Sequence, residues 1–190
     1  MQTLEERIQR LEDIEAIRYL QAKYQRCLDA RSFDELATCF TDDAVSSYGN
    51  ETMNYQGKDQ IIRFLCSVMT LKMPSCHLIH SGEIDIIDSK TAEAKWYLED
   101  YLLHEKYKMK LHGTAIYYVS YRKENNNWLI SSIGYKRGFE YMEARGIINL
   151  CTLKKKTFLD QRKKENKETL GEYGKYYYEL EVEKQRKKYK

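Results

Sequence analysis

At 190 residues, 42% apolar and 32% charged, the chain can form one domain with its own core and has the make-up of a soluble globular protein. The formal net charge of +3 is unevenly placed: residues 154–190 carry thirteen Lys/Arg against seven Asp/Glu, so the body is net acidic, which argues against a nucleic-acid-binding domain. No apolar run approaches the roughly 18 residues of a membrane span. The acidic, helix-forming start Met1–Arg7 does not read as a signal peptide.

Five cysteines (Cys27, Cys39, Cys66, Cys76 and Cys151) form an odd set without C-x-x-C spacing. That pattern fits neither a disulfide framework nor a zinc site and suits the reducing cytoplasm.

In chain order, apolar residues from Leu4 to Leu28 recur at three- and four-residue steps, predicting one amphipathic helix over 4–29. Thr3 and Glu6 offer it a capping box. A shorter helix is expected from Ser32 to Phe40, a short strand over Ala44–Tyr48 and a third helix over Lys58–Met69. The period then changes. His77–Ile87, Ala92–His104, Lys108–Arg122 and Trp128–Tyr141 read as four strands, with hairpin turns at Asp88–Lys90 and Asn125–Asn127. Helices followed by long antiparallel strands make an α+β protein, in which a strongly curved sheet closed on one side by helices forms a cone. The domain spans residues 1–150. Residues 151–190 form a lysine-rich tail with a thin apolar stripe, expected as a surface or intersubunit helix or a partly disordered segment.

His77 and His80, three apart on a strand, face opposite ways, so only one can enter a pocket. On the next strand Trp96, Leu98 and Asp100 share a face, and two apolar members make it the buried one. A buried carboxylate needs a partner. His77 is the natural one: Asp100 would fix its tautomer and leave the other nitrogen for proton transfer. A purely structural His–Asp pair fits the same spacing. Tyr24 lies on the apolar stripe of the first helix, and Asp29 ends that helix against its dipole. The two are roughly 140° apart on an ideal helix, so they meet only if its end frays. Arg137 shares a face with Ile133 and Tyr135 and could hold a carboxylate, an oxyanion or Asp29. His112, sharing a face with Thr114 and Ile116, is a secondary pocket candidate, joined by Tyr48 and Trp96 as substrate contacts. There is no phosphate-binding glycine loop, no G-x-S-x-G and no metal-ligand spacing.

Five stretches carry a resemblance: Asp13-Ile14-Glu15-Ala16-Ile17-Arg18; Lys23-Tyr24-x-Arg26-Cys27-Leu28-Asp29; His77-x-x-His80; Lys95-Trp96-Tyr97-Leu98-Glu99-Asp100; and Gly134-Tyr135-x-Arg137. In that order and spacing, over residues 3–145, they resemble the SnoaL-like branch of the nuclear transport factor 2 (NTF2)-like superfamily. Within it they are most similar to the bacterial bile acid 7α-dehydratases. The resemblance implies a cone-shaped α+β barrel, a homotrimer and catalysis with no cofactor and no metal. It implies catalytic roles for Tyr24, Asp29, His77, Asp100 and Arg137, with Asp100 as partner of His77. The implied substrates are 7α-hydroxy-3-oxo-Δ4 bile acids, usually as coenzyme A thioesters, with no nucleic-acid or membrane partner. Either Tyr24 binds the 3-oxygen while His77 moves protons, or the roles are exchanged. The segment after Asp100 is shorter and the tail longer than the family pattern. The tail reads first as a solvated helix and could also attract coenzyme A phosphates. Other SnoaL-like cyclases, dehydratases or isomerases, and a non-catalytic binding module, are the alternatives.

Overall fold

The amphipathic start folds as α1 (Leu4–Ala30), closed at its N-terminus by the expected capping box between Thr3 and Glu6. The computed structural model describes residues 2–49, 51–104, 108–144 and 170–187. Only the second half of the α1 stripe packs: Ile17, Leu20, Tyr24 and Leu28 are buried, whereas Leu4, Ile8 and Leu11 are exposed. Buried Asp13 starts the packed part, accepting from Trp128 Nε1 at 2.8 Å and pairing with Lys123 Nζ at 2.6 Å. These bonds tie α1 to the last hairpin.

Next come α2 (Phe33–Ala37), β1 (Phe40–Tyr48), β2 (Met53–Gln56), α3 (Lys58–Val68), β3 (Ser75–Ile86), β4 (Thr91–His104), β5 (Met109–Glu124), β6 (Asn127–Ala144) and α4 (Glu172–Arg186). The second helix stops earlier than expected, so β1 begins four residues sooner, and β2 is an addition to the predicted strands. The strand order is β2-β1-β6-β5-β4-β3, and β1 pairs with β6 in parallel. The sheet is therefore mixed rather than purely antiparallel, and it is not closed. Register breaks at Ile79/Gly82, Thr114/Ala115, Ser120/Tyr121 and Phe40/Val45 bend the strands. The outcome is the helices-on-curved-sheet α+β cone that the element order predicts.

Cross-strand register sorts the inner face into rows. Ile86, Ala92, Tyr121, Ile130 and Phe40 form one end; Trp96, Tyr117 and Tyr135 form the middle; His77, Asp100 and Gly113 form the other end. Apolar packing at one end thus grades through aromatic rings into charge. The described part of the tail is helical, one of the expected alternatives. Residues 151–169 and 188–190 lie outside the described residues, but α4 docks on α2 and α3, with Tyr177 and Glu181 buried.

Gly82 sits at a bulge where an added Cβ would lie 2.2 Å from the Trp96 ring. That ring is held by its Nε1–H donating to the Tyr121 hydroxyl at 3.0 Å. Gly82→Ala should therefore destabilise the fold by about 1–3 kcal/mol in urea unfolding followed by tryptophan fluorescence.

Candidate active site

α1 ends in a Schellman cap. Arg31 adopts a left-handed conformation (φ 60°), its N–H donating to the Leu28 carbonyl and that of Ser32 to Cys27. The reversal leaves Asp29, in the last helical turn, against the start of β3. Its Oδ2 accepts the His77 backbone N–H at 2.8 Å, and its Oδ1 accepts the Ser75 hydroxyl at 2.7 Å. The same Oδ1 lies 2.6 Å from His77 Nδ1. Burial raises the Asp29 pKa, but the hydrogen bond and charge of His77, its backbone N–H and Ser75 outweigh that and hold it below the usual carboxylate value. An ionised carboxylate only accepts, so Nδ1 of His77 is the donor in this bond and Nε2 is the ring nitrogen turned away from Asp29. The His77 side chain is 8% exposed.

The dyad thus uses a different carboxylate from the one expected. Asp100 does lie opposite His77 in the ladder and is buried, as the alternation on β4 predicts. Its two oxygens, however, accept from Arg137 Nη1 and Nη2, each at 2.7 Å. Gly113 makes this possible: a Cβ there would lie 2.9 Å from Arg137 Nη1 and 3.1 Å from Asp100 Oδ1. The bare backbone of β5 lets the guanidinium reach from β6 to β4. Burial lowers the Arg137 pKa, but Asp100 more than offsets it and the net direction is up. Arg137 also pairs with Glu140 at 3.2 Å.

α1 does not fray, and Tyr24 and Asp29 point to different parts of the inner face. Tyr24 is 1% exposed, edge-on to Phe40 and Tyr117 at 5.8 and 6.4 Å between ring centres. Burial, with the neighbouring Tyr48 and Tyr117 phenols, pushes its pKa well above the ordinary tyrosine value, so it is a neutral donor. Burial likewise pushes Tyr48 up to about 12, and its hydroxyl, although beside Tyr24, has no hydrogen bond of good geometry. Beyond Asp100 the same inner face continues through Leu102, Leu111 and Met142, an apolar rim.

Two expected substrate contacts lie elsewhere. His112 is on the outer face, because Gly113 and Ala115 take the inward positions of β5. It stacks on Tyr101 at 4.1 Å and bonds Glu99 at 2.8 Å. Trp96 faces inward but belongs to the core, bonded to Tyr121. His80 points outward, opposite to His77, as their spacing requires. Ser75, Arg31 and Tyr117 escaped sequence reasoning. Ser75 could have been found, since it shares a strand face with His77. Two surface grooves, of about 720 and 1010 Å³, are lined by neither Tyr24 nor His77 nor Asp100. Among the described residues, no group of three or more His, Cys, Asp or Glu is placed to hold a metal ion, and no helix is long and apolar enough to cross a membrane.

An open curved sheet wrapped by helices, with a hydrogen-bonded His–carboxylate pair on its inner face, defines a cone-type α+β protein. A family model of the SnoaL-like domain matches residues 9–133, and the chain belongs to that family. Similar solved structures include a protein assigned as a scytalone dehydratase of Novosphingobium aromaticivorans, at 19% identity and TM-score 0.66, covering 73% of this chain and 95% of that one. The hexachlorocyclohexane dehydrochlorinase LinA-type3 of Novosphingobium barchaimii is similar at 16% identity and TM-score 0.66, covering 72% and 94%. An NTF2-like protein of unknown function from Pseudomonas putida matches at 16% identity and TM-score 0.54, covering 65% and 84%. At such identities the likeness is one of fold.

The lowered Asp29 pKa fixes a sign. Its stabilisation is fully present above the unfolded carboxylate value of about 3.9 and fades as pH falls through the lower folded value. Asp29→Asn should cost about 1–3 kcal/mol near neutral pH. In urea melts across an acid pH series, its deficit against the wild type should shrink as pH drops below the ordinary carboxylate range.

Proposed function

We propose that the chain is a lyase of the bile acid 7α-dehydratase type, eliminating water from a 7α-hydroxy-3-oxo-Δ4 steroid acid. The carrying observation is the Asp29–His77 dyad, with its free imidazole nitrogen on the inner face that Tyr24 also lines. An enone makes the C6 proton acidic, because the carbanion spreads onto the 3-oxygen as a dienolate. His77 Nε2 takes that proton, Asp29 orients the ring and balances the imidazolium, and the proton returns to the leaving 7-hydroxyl as water. A phenol donor meets the oxyanion. The raised pKa of Tyr24 suits that donor role and not the role of base, which favours His77 as the proton shuttle. Asp100 and Arg137, locked together, order the wall beside His77.

The apolar rim of Leu102, Leu111 and Met142 supports an apolar ring system over a sugar or nucleotide. Two of the similar structures, a dehydratase and a dehydrochlorinase, bear the names of eliminating enzymes. The reading includes a coenzyme A thioester form of the substrate, a homotrimer and a cytoplasmic setting. In support, the outer sheet face exposes Tyr97, Tyr118, Phe139 and Tyr141 for self-association, and four cysteines of the described residues are free thiols.

Incubation with 7α- and 7β-hydroxy-3-oxo-Δ4 bile acids, free and as thioesters, should build the longer-wavelength dienone absorbance from the 7α epimers. His77→Ala should lose roughly 10²–10⁴-fold in rate, and Tyr24→Phe roughly 10²–10³-fold in kcat. Turnover of neither epimer in either form would reject this substrate, and near-normal turnover by His77→Ala would reject the mechanism.

A further inference from the structure

Arg31 is 2% exposed, and among the described residues its guanidinium donates to carbonyl and hydroxyl oxygens and to no carboxylate. A guanidinium buried without an ion pair is costly, and so is a left-handed backbone at a residue other than glycine. Both costs are borne at one position, two residues after Asp29, and the side chain accounts for them. Nε donates to the Met69 carbonyl at 3.0 Å, and Nη2 to the Met73 carbonyl. Nη1 donates to the Asp29 carbonyl and to the Ser75 hydroxyl oxygen, both at 2.8 Å. Because Arg31 can only donate, the Ser75 oxygen must accept from it, and its own proton is left to point at Asp29 Oδ1. Hydrogen-bond polarity therefore runs from Arg31 through Ser75 to Asp29, where it meets the His77 proton.

α4 closes the other side of this cage. The Tyr177 hydroxyl donates at 3.0 Å to the same Met69 carbonyl that Arg31 binds, and its ring packs on Phe33 at 4.7 Å. Buried Glu181, one helical turn on from Tyr177, pairs with Lys184 at 3.5 Å and lies within electrostatic reach of the guanidinium. The helix is fixed there by its own N-terminus: Asp34 accepts the backbone N–H groups of Tyr173 at 2.9 Å and of Gly174 at 3.1 Å. Side chains at Gly171 and Gly174 would collide with that carboxylate, each Cβ falling 2.6 Å from it. All of α4 lies outside the residues matched by the SnoaL-like family model.

We propose that Arg31 is a positioning residue for the Asp29–His77 dyad, and that α4, through Tyr177 and Glu181, is the added element that holds Arg31 in place. The inference rests on the dyad assigned under the proposed function but not on the substrate. Undocking of α4 loosens the Met69 carbonyl and the guanidinium together. Ser75 then turns freely, and Asp29 loses the donor that fixes its orientation.

The test is proton NMR of the full chain at low temperature. The proton in the 2.6 Å bond between His77 Nδ1 and Asp29 should resonate far downfield and vanish in His77→Gln. In Tyr177→Phe and Glu181→Gln that signal should exchange with water about fivefold faster or more, and in Arg31→Lys faster still. Tyr176→Phe, on the same helix but stacked over Arg63, should leave it unchanged. A signal unmoved by Tyr177→Phe and Glu181→Gln overturns the inference, even if both variants melt earlier. No downfield signal in the wild type overturns the dyad itself and this inference with it. A responsive signal in a protein that dehydrates no bile acid upholds the inference and rejects the substrate.

Discussion

A carboxylate at the C-terminal end of a helix is badly placed, since the helix dipole there is negative and burial strips away water. Asp29 is such a carboxylate, and the structure around it is organised by its need for donors. One oxygen takes a backbone N–H of β3, and the other takes a hydroxyl and an imidazole. The demand fixes how α1 ends, where β3 begins and which nitrogen of His77 carries hydrogen. A helix ended by glycine would have turned the chain as well. Arginine at that position turns it and also supplies the donor that orients Ser75.

The sheet provides the second half of the constraint. Bulges curve it, and strict alternation then delivers a graded inner face: aliphatic and aromatic under α1, phenolic in the middle, charged at the end where His77 lies. Curvature has a cost in side-chain space, visible where a strand must lose its Cβ. Gly82 makes room for the Trp96 ring. Gly113 makes room for the Arg137 guanidinium, without which Asp100 would face His77 as a bare second carboxylate.

Much of this was legible in the sequence, and the part that was not has a common cause. Period alone located α1, α3 and the four long strands; parity set His77 and His80 on opposite faces, and the apolar neighbours Trp96 and Leu98 put Asp100 inside. Parity tells which face a residue takes. It does not tell how far a long side chain reaches, so Arg137 was a candidate for several anions and Asp100 went to the nearest histidine. Nor does it say which face is the inner one when a strand carries polar residues on both, which is how His112 came to be placed in the pocket. The partner of His77 comes from a helix end, and no strand pattern encodes that approach; the missing glycine after Asp29 was the available hint. The docking of α4 was hidden because its buried stripe uses tyrosines, which read as polar, and because its cap, Asp34, lies some 140 residues earlier in the chain.

The two carboxylates nearest His77 have been given opposite tasks by their partners. Asp29 meets only neutral donors besides the imidazole, so its charge acts on His77 and favours the ring when it takes up a proton. Asp100, directly across the ladder, is bound through both oxygens by a guanidinium, so its charge is spent. With neither carboxylate, the imidazolium formed during proton transfer would be buried without compensation. One carboxylate turned to the imidazole and one held by a guanidinium is the arrangement that the proposed elimination would need, in which a single residue serves as base and then acid.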